Sequence, residues 1–189
     1  MHLSPRFENA LQYATVLHAS QLRKATGVPY IAHLLGVTSI VLEYGGNEDE
    51  AIGALLHDAV EDQGGQGRLE DIRVRFGEAV ADIVEGCTDS LASHKPPWRE
   101  RKEHYIAHLP QASASVRLVS AADKLYNSQA TLRNYRQVGE AVWLRFSGGK
   151  AGTLWYFRAL VSAFRVVGPH ALVDELDRVV TELEKVSAV

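Results

Sequence analysis

The chain has 189 residues, is 46% hydrophobic and 23% charged, and carries a formal net charge of −3 at pH 7. That length fits one domain, 1–189, with a core of its own, and the slight acidity excludes a global pull toward nucleic acid or an acidic membrane surface. The single cysteine, Cys87, excludes an internal disulfide, no apolar run reaches membrane-spanning length, and MHLSPRFENA lacks the apolar region of a secretion signal, so a cytoplasmic protein is expected.

The predicted elements are helical almost throughout. Ser4 and Pro5 offer an N-cap followed by proline at the first helical position, and Phe7, Leu11, Ala14 and Leu17 or His18 then recur at helical spacing. The turn Thr26-Gly27-Val28-Pro29 breaks the chain. A second helix is expected from Ala32 to Tyr44, ending at Gly45-Gly46. Asn47 caps a third, with Glu50 placed for a capping box; it carries Ala51, Leu55, His57, Asp58 and Glu61 and stops near Gly64-Gly65.

A short helix over Leu69–Phe76 closes on Gly77, and another spans Glu78–Glu85. The polar, proline-containing stretch from Asp89 to Pro97 reads as a loop. Helices follow over Trp98–Leu109, Ala114–Tyr135, a shorter Glu140–Phe146, Thr153–Val167 and Pro169–Val186. With no alternating strand pattern, the expected fold class is all-α.

The chemistry concentrates in ALLHDAVED, residues 54–62. Acids on an apolar helix need partners, and a divalent cation is the economical one. His57 and Asp58 project about 100° apart on a helix, so other segments must complete the ligand set. His33, which opens the second helix, and Asp123, a lone acid in the apolar run Val116–Ala122, are the candidates. Two imidazoles and two carboxylates with open positions suit manganese, iron or another six-coordinate ion better than a closed zinc site.

Glu61 and Asp62 follow His57 and Asp58 by one turn and are placed to orient a water or move its proton. Arg23 and Lys24 supply cations for an anionic or aromatic substrate, and Asn127, one turn after Asp123, is placed to contact a ribose or phosphate. Each element has a plainer explanation when taken alone. His33 reads as a hydrogen-bonded core residue, Asp123-Lys124 as a local ion pair, Arg23-Lys24 as a solvated pair and Glu61-Asp62 as a helix end. His2, His94, His104, His108 and His170 are read as surface or core residues. Convergence on one chemistry favours a site.

The order His…His-Asp…Asp resembles the HD-domain metal phosphohydrolases. The finer likeness is to the hydrolase domain of RelA/SpoT-type proteins, nearest to small stand-alone alarmone hydrolases. It rests on HASQLRKATGVPYIAH (18–33), ALLHDAVED (54–62) and AADKLYN (121–127), with support from PPWRERKEHYIAHL (96–109) and LWYFRAL (154–160), and covers residues 6 to 165. The resemblance implies one manganese ion on His33, His57, Asp58 and Asp123, and removal of the 3′-pyrophosphate from (p)ppGpp. It implies Glu61 and Asp62 as the catalytic acid pair and Arg23, Lys24, Thr26, Tyr30 and Asn127 as substrate-binding residues.

Three departures stand out. Ser128-Gln129-Ala130-Thr131 replaces a Met-Arg-Thr type sequence, leaving Lys102 or Arg133 to supply a missing cation. Leu34 stands where proline is usual, and Thr88-Asp89 where Thr-Lys is typical. At this length no synthetase or regulatory domain is expected, and no obligate protein partner is implied. Adenine alarmones and the 2′-phosphate of NADPH are the alternative substrates, because an arginine plane stacks on either purine. A metal-binding sensor without turnover and a metal-free helical interaction protein are the readings outside catalysis.

Overall fold

The computed structural model describes residues 2–24, 26–89, 96–167 and 169–188. Most of the expected loop from Asp89 to Pro97, with His94, lies outside the described residues. Ten α-helices are described: α1 (Pro5–Leu17), α2 (Ile31–Glu43), α3 (Glu48–Leu56), α4 (Ala59–Asp62), α5 (Gly65–Phe76), α6 (Glu78–Cys87), α7 (Trp98–His108), α8 (Ala114–Val138), α9 (Gly149–Val167) and α10 (His170–Ser187). Among the described residues there is no strand, only one antiparallel bridge between Leu22 and Pro29. No described helix is long and apolar enough to cross a membrane.

Local chemistry accounts for the helix starts. The Ser4 hydroxyl accepts from the Arg6 N–H at 3.2 Å with Pro5 behind it. The Asn47–Glu50 capping box closes at 3.0 and 2.7 Å, and Ser113 caps α8. Such caps contribute about 1 kcal/mol each.

The expected third helix is not continuous. It breaks at His57-Asp58, leaving α3 and the single turn α4. The imidazole is the reason: His57 Nδ1 donates to the Ala54 carbonyl at 2.8 Å, the acceptor that a continuing helix reserves for the Asp58 amide. Asp58 then settles at φ −95°, ψ −4°, in the bridge region between helix and strand. Glu140–Phe146 also departs from expectation, since Gly139–Arg145 is 3-10 rather than α. Helix α5 starts four residues earlier than periodicity suggests, at Gly65, after Gly64 turns the chain at φ 134°, a backbone conformation open to glycine.

Two apolar clusters meet at the site. One joins α2, α8, α9 and α10 through Val37, Val119, Leu160, Phe164 and Leu176. The other joins α1, α3, α5 and α6 through Ala14, Leu55, Leu69, Ile72 and Val84. Helix α2 belongs to both, with Leu34 fully buried in the second cluster and Val37 in the first. A leucine at position 34 therefore fills core volume, and cutting a fully buried leucine to alanine costs about 2–5 kcal/mol. The 25-residue α8 runs along this seam and carries Asp123 and Asn127.

Candidate active site

The structure brings together four residues from three regions of the chain. His33 stands on the first turn of α2, His57 and Asp58 at the α3–α4 break, and Asp123 in mid-α8. His33 Nε2 lies 3.3 Å from Asp58 Oδ2 and 3.4 Å from Asp123 Oδ1. His57 Nε2 lies 3.2 and 3.7 Å from the same two atoms. Donor atoms of His33, His57 and Asp58 all fall within 4.8 Å of one another. Both histidines are buried, Asp123 is 6% exposed, and the Asp58 side chain is 23% exposed.

This donor set fits a divalent cation. His57 Nδ1 is committed to the Ala54 carbonyl, so the nitrogen facing the carboxylates is Nε2, which is buried and makes no hydrogen bond. Burial alone would lower the His57 pKa, but Asp58 and Asp123 outweigh it and hold it well above the usual histidine range. Burial holds His33 below that range. Asp58 is held well below the usual carboxylate range by the imidazoles, against its burial. Asp123 shifts the same way, chiefly through Lys124, whose Nζ lies 2.5 Å from its Oδ2. The pair Asp123-Lys124 is thus a buried ion pair at the cluster, with the lysine 14% exposed.

Polar groups behind the cluster orient it. The Tyr30 hydroxyl donates to Asp58 Oδ2 at 2.6 Å. Burial, then the Asp58 charge, push this phenol far above its usual range. Asn127 Nδ2 donates to Asp123 Oδ1 at 2.5 Å, while its Oδ1 accepts from Arg23 Nη2 at 2.8 Å. Arg23 lies over the Tyr30 and Tyr126 rings at 5.7 and 6.0 Å, a cation–π arrangement that fixes its plane. Tyr126 reaches His33 across Gly36, whose missing side chain makes room: a Cβ there would stand 2.1 Å from Tyr126 Cε2.

Two adjoining recesses share lining residues, and the inner one is lined by the cluster itself. The inner one, of about 160 Å³, is lined by Asp58, Glu61, Asp89, Lys102, Asp123 and Tyr156 among others. The outer groove, of about 400 Å³, is lined by Arg23, Lys24, Asp62, Lys102, Asn127 and Arg145 among others. Tyr30, Lys102 and Asn127 belong to both. The acid pair is split between them, with half-buried Glu61 on the inner wall and exposed Asp62 on the outer. Desolvation, then the Asp58 charge, raise the Asp62 pKa. Thr26 sits in the preceding turn, exposed, and lines neither recess. Arg133 lies 6.0 Å from the Tyr126 ring centroid and also lines neither.

Asp89, a departure from the resembling sequences, and Lys102, a candidate cation, meet on the inner wall. Asp89 Oδ2 accepts from Lys102 Nζ at 2.9 Å and also pairs with Arg101. Lys102 in turn lies 5.0 Å over the Tyr156 ring. The acid at position 89 is therefore answered by two cations from α7. Burial, then Lys124, lower the Lys102 pKa, against the pull of Asp89. Trp98, Asn134, Arg145 and Phe146 complete the groove. The only sequence signal for them was the PPWRERKEHYIAHL likeness, which covers Trp98 alone.

A helical domain that sets paired histidines and paired aspartates against one another has the arrangement of an HD domain. The chain belongs to this family: the HD domain family matches residues 10–153. It is 42% identical over 121 residues to guanosine-3′,5′-bis(diphosphate) 3′-pyrophosphohydrolase MESH1 of Xenopus tropicalis, covering 62% of this chain and 65% of that relative. A solved structure, described as a metazoan ortholog of SpoT that hydrolyzes ppGpp and plays a role in starvation responses, superposes with a TM-score of 0.76 at 26% identity, over 96% of this chain and 97% of that one. A crystal structure from Listeria monocytogenes EGD-e gives a TM-score of 0.71 at 30% identity, over 81% and 99% of the two chains.

Proposed function

We propose that residues 1–189 form a single hydrolase domain that removes the 3′-pyrophosphate from the guanosine alarmones (p)ppGpp, giving GDP or GTP and pyrophosphate, with manganese as its ion. The observation that carries this reading is the meeting of His33, His57, Asp58 and Asp123 at a recess that shares Arg23, Lys102 and Lys124 with the outer groove. The activity printed for the Xenopus relative supports it. A cytoplasmic location and a small-molecule substrate, with no nucleic acid, membrane or obligate protein partner, belong to the same proposal.

A divalent ion on these four residues supplies Lewis-acid polarisation of the phosphoryl group next to the ribose 3′-oxygen and acidification of water. Tyr30 and Asn127 hold Asp58 and Asp123 in place through their hydrogen bonds. Glu61 and Asp62 take the proton of the water that adds to phosphorus and return one to the departing 3′-oxygen. Lys102, which lines both recesses, offsets charge on the pyrophosphate, and Arg23 and Lys24 hold the purine nucleoside.

Product analysis tests this. The manganese-loaded protein is incubated separately with ppGpp, ppApp and NADPH, and the products are separated by anion exchange. Pyrophosphate and GDP from ppGpp as the fastest reaction is the expected result. Turnover of ppApp or NADPH alone would move the substrate while keeping the site, and no turnover of any of the three would overturn the proposal.

A further inference from the structure

The turn between α1 and α2 carries a polar chain that ends on Asp62 and that none of the roles above uses. His18 closes α1, is 2% exposed, and stacks on Tyr30 with ring centroids 5.3 Å apart and planes at 18°. Its Nδ1 lies 2.7 Å from Gln21 Oε1. An amide oxygen only accepts, so Nδ1 carries the hydrogen. Gln63 Nε2 donates to the same oxygen at 2.7 Å. Gln21 Nε2 then donates to Asp62 Oδ2, also at 2.7 Å.

These partners leave the Gln21 amide one orientation. Flipped, it would set its oxygen against the Asp62 carboxylate, an acceptor against an acceptor. The backbone anchors it as well, with Gln21 N–H donating to the His18 carbonyl at 3.0 Å and its carbonyl accepting from Tyr30 N–H at 2.9 Å. Asp62 has no comparable support from its own element. It ends a four-residue helix and is followed by Gln63 and the positive-φ Gly64. A carboxylate at the end of one helical turn rotates unless something outside the turn holds it.

The geometry points to Gln21 as a positioning residue: by holding Asp62 Oδ2 it fixes the carboxylate plane and presents Oδ1 to the reacting water, while His18 and Gln63 hold Gln21. This rests on the proposed hydrolysis and on the part of Asp62 in it. Gln21 also lines the outer groove, so a direct substrate contact is the alternative that a test must separate.

The experiment is a double-mutant cycle on the manganese-loaded protein with ppGpp. Gln21→Met keeps the length and removes the hydrogen bond. It is expected to lower kcat about tenfold, the effect of losing one hydrogen bond to a charged group, with KM and manganese affinity unchanged. In an Asp62→Ala background the same substitution changes kcat less than about twofold, since coupled residues are not additive. His18→Phe, which keeps the ring stack on Tyr30, gives a smaller loss that also vanishes in that background.

A Gln21→Met protein with wild-type kcat overturns the inference. So does a loss that persists undiminished in the Asp62→Ala background, or a rise in KM alone. An Asp62→Ala protein with wild-type kcat overturns it too. A wild-type protein that turns over no substrate sinks the proposed function, and is seen before any substitution is made. If Gln21→Met proves unfolded by its thermal transition, Gln21→Glu, which keeps the shape but repels Asp62, is read in the same cycle with the same outcomes.

Discussion

Replacing Tyr30 with phenylalanine isolates one hydrogen bond to the metal cluster. The ring keeps its stack on His18 and its edge contact with His33, at centroid distances of 5.3 and 5.4 Å, and only the hydroxyl 2.6 Å from Asp58 Oδ2 is lost. A hydrogen bond to a charged group is worth about 1.5–3 kcal/mol, and groups that orient a metal ligand typically contribute about 10–100-fold in metal affinity. The 23% exposure of the Asp58 side chain lets water replace the hydroxyl in part, which sets the expected loss near the lower end, about tenfold. The phenol is held far above its usual pKa by burial and the Asp58 charge, so it remains a donor across any working pH and the loss is pH-independent. Calorimetric manganese titration of chelator-stripped wild-type and Tyr30→Phe proteins measures it. Equal affinities would refute the reasoning, as would a loss that appears at only one end of the pH range.

Metal binding also releases protons. The carboxylates hold His57 protonated above the usual histidine range, while burial keeps His33 neutral; a cation must displace the His57 proton. Near pH 7 about one proton is therefore expected per ion, and apparent affinity rises about tenfold per pH unit until His57 is deprotonated. Titrations in buffers of different ionisation enthalpy read this number, and a value near zero would contradict the assigned shift. Gly36→Ala drives a Cβ into the Tyr126 ring and is expected to cost about 1–3 kcal/mol by overpacking. Because Tyr126 lies 5.0 Å from His33, manganese affinity should fall with the thermal midpoint; a wild-type midpoint would show that the ring moves aside freely. Lys102→Met removes a cation shared by both recesses and should lower kcat/KM for ppGpp about tenfold or more; unchanged kcat/KM would place the pyrophosphate elsewhere.

Helix boundaries set by local chemistry were legible in the sequence. The Asn47–Glu50 box and the Gly45-Gly46 and Gly77 stops each involve residues within a few positions of one another. The break at His57-Asp58 was not, because periodicity carries no sign of a side chain capping its own helix at the Ala54 carbonyl. The candidate ligands could be named as residue types, but their meeting joins α2, the α3–α4 break and α8. The hydroxyl of Tyr30 on Asp58, 28 residues away, and Arg23 on Asn127, 104 residues away, depend on that assembly. Asp89 illustrates the limit most directly: as a departure from a resembling sequence it is only a reversed charge, whereas in the fold it organises Arg101 and Lys102.

The proposed hydrolysis requires one divalent ion at the four-residue cluster. Chelator-stripped protein is reconstituted with increasing manganese, and bound metal and pyrophosphate release from ppGpp are measured on the same samples, alongside Asp58→Ala. Expected are no release without metal, full release at one bound ion per chain, and neither tight binding nor release in the variant. Pyrophosphate release from metal-free protein, or an Asp58→Ala variant that keeps both one ion and the wild-type rate, would contradict this requirement.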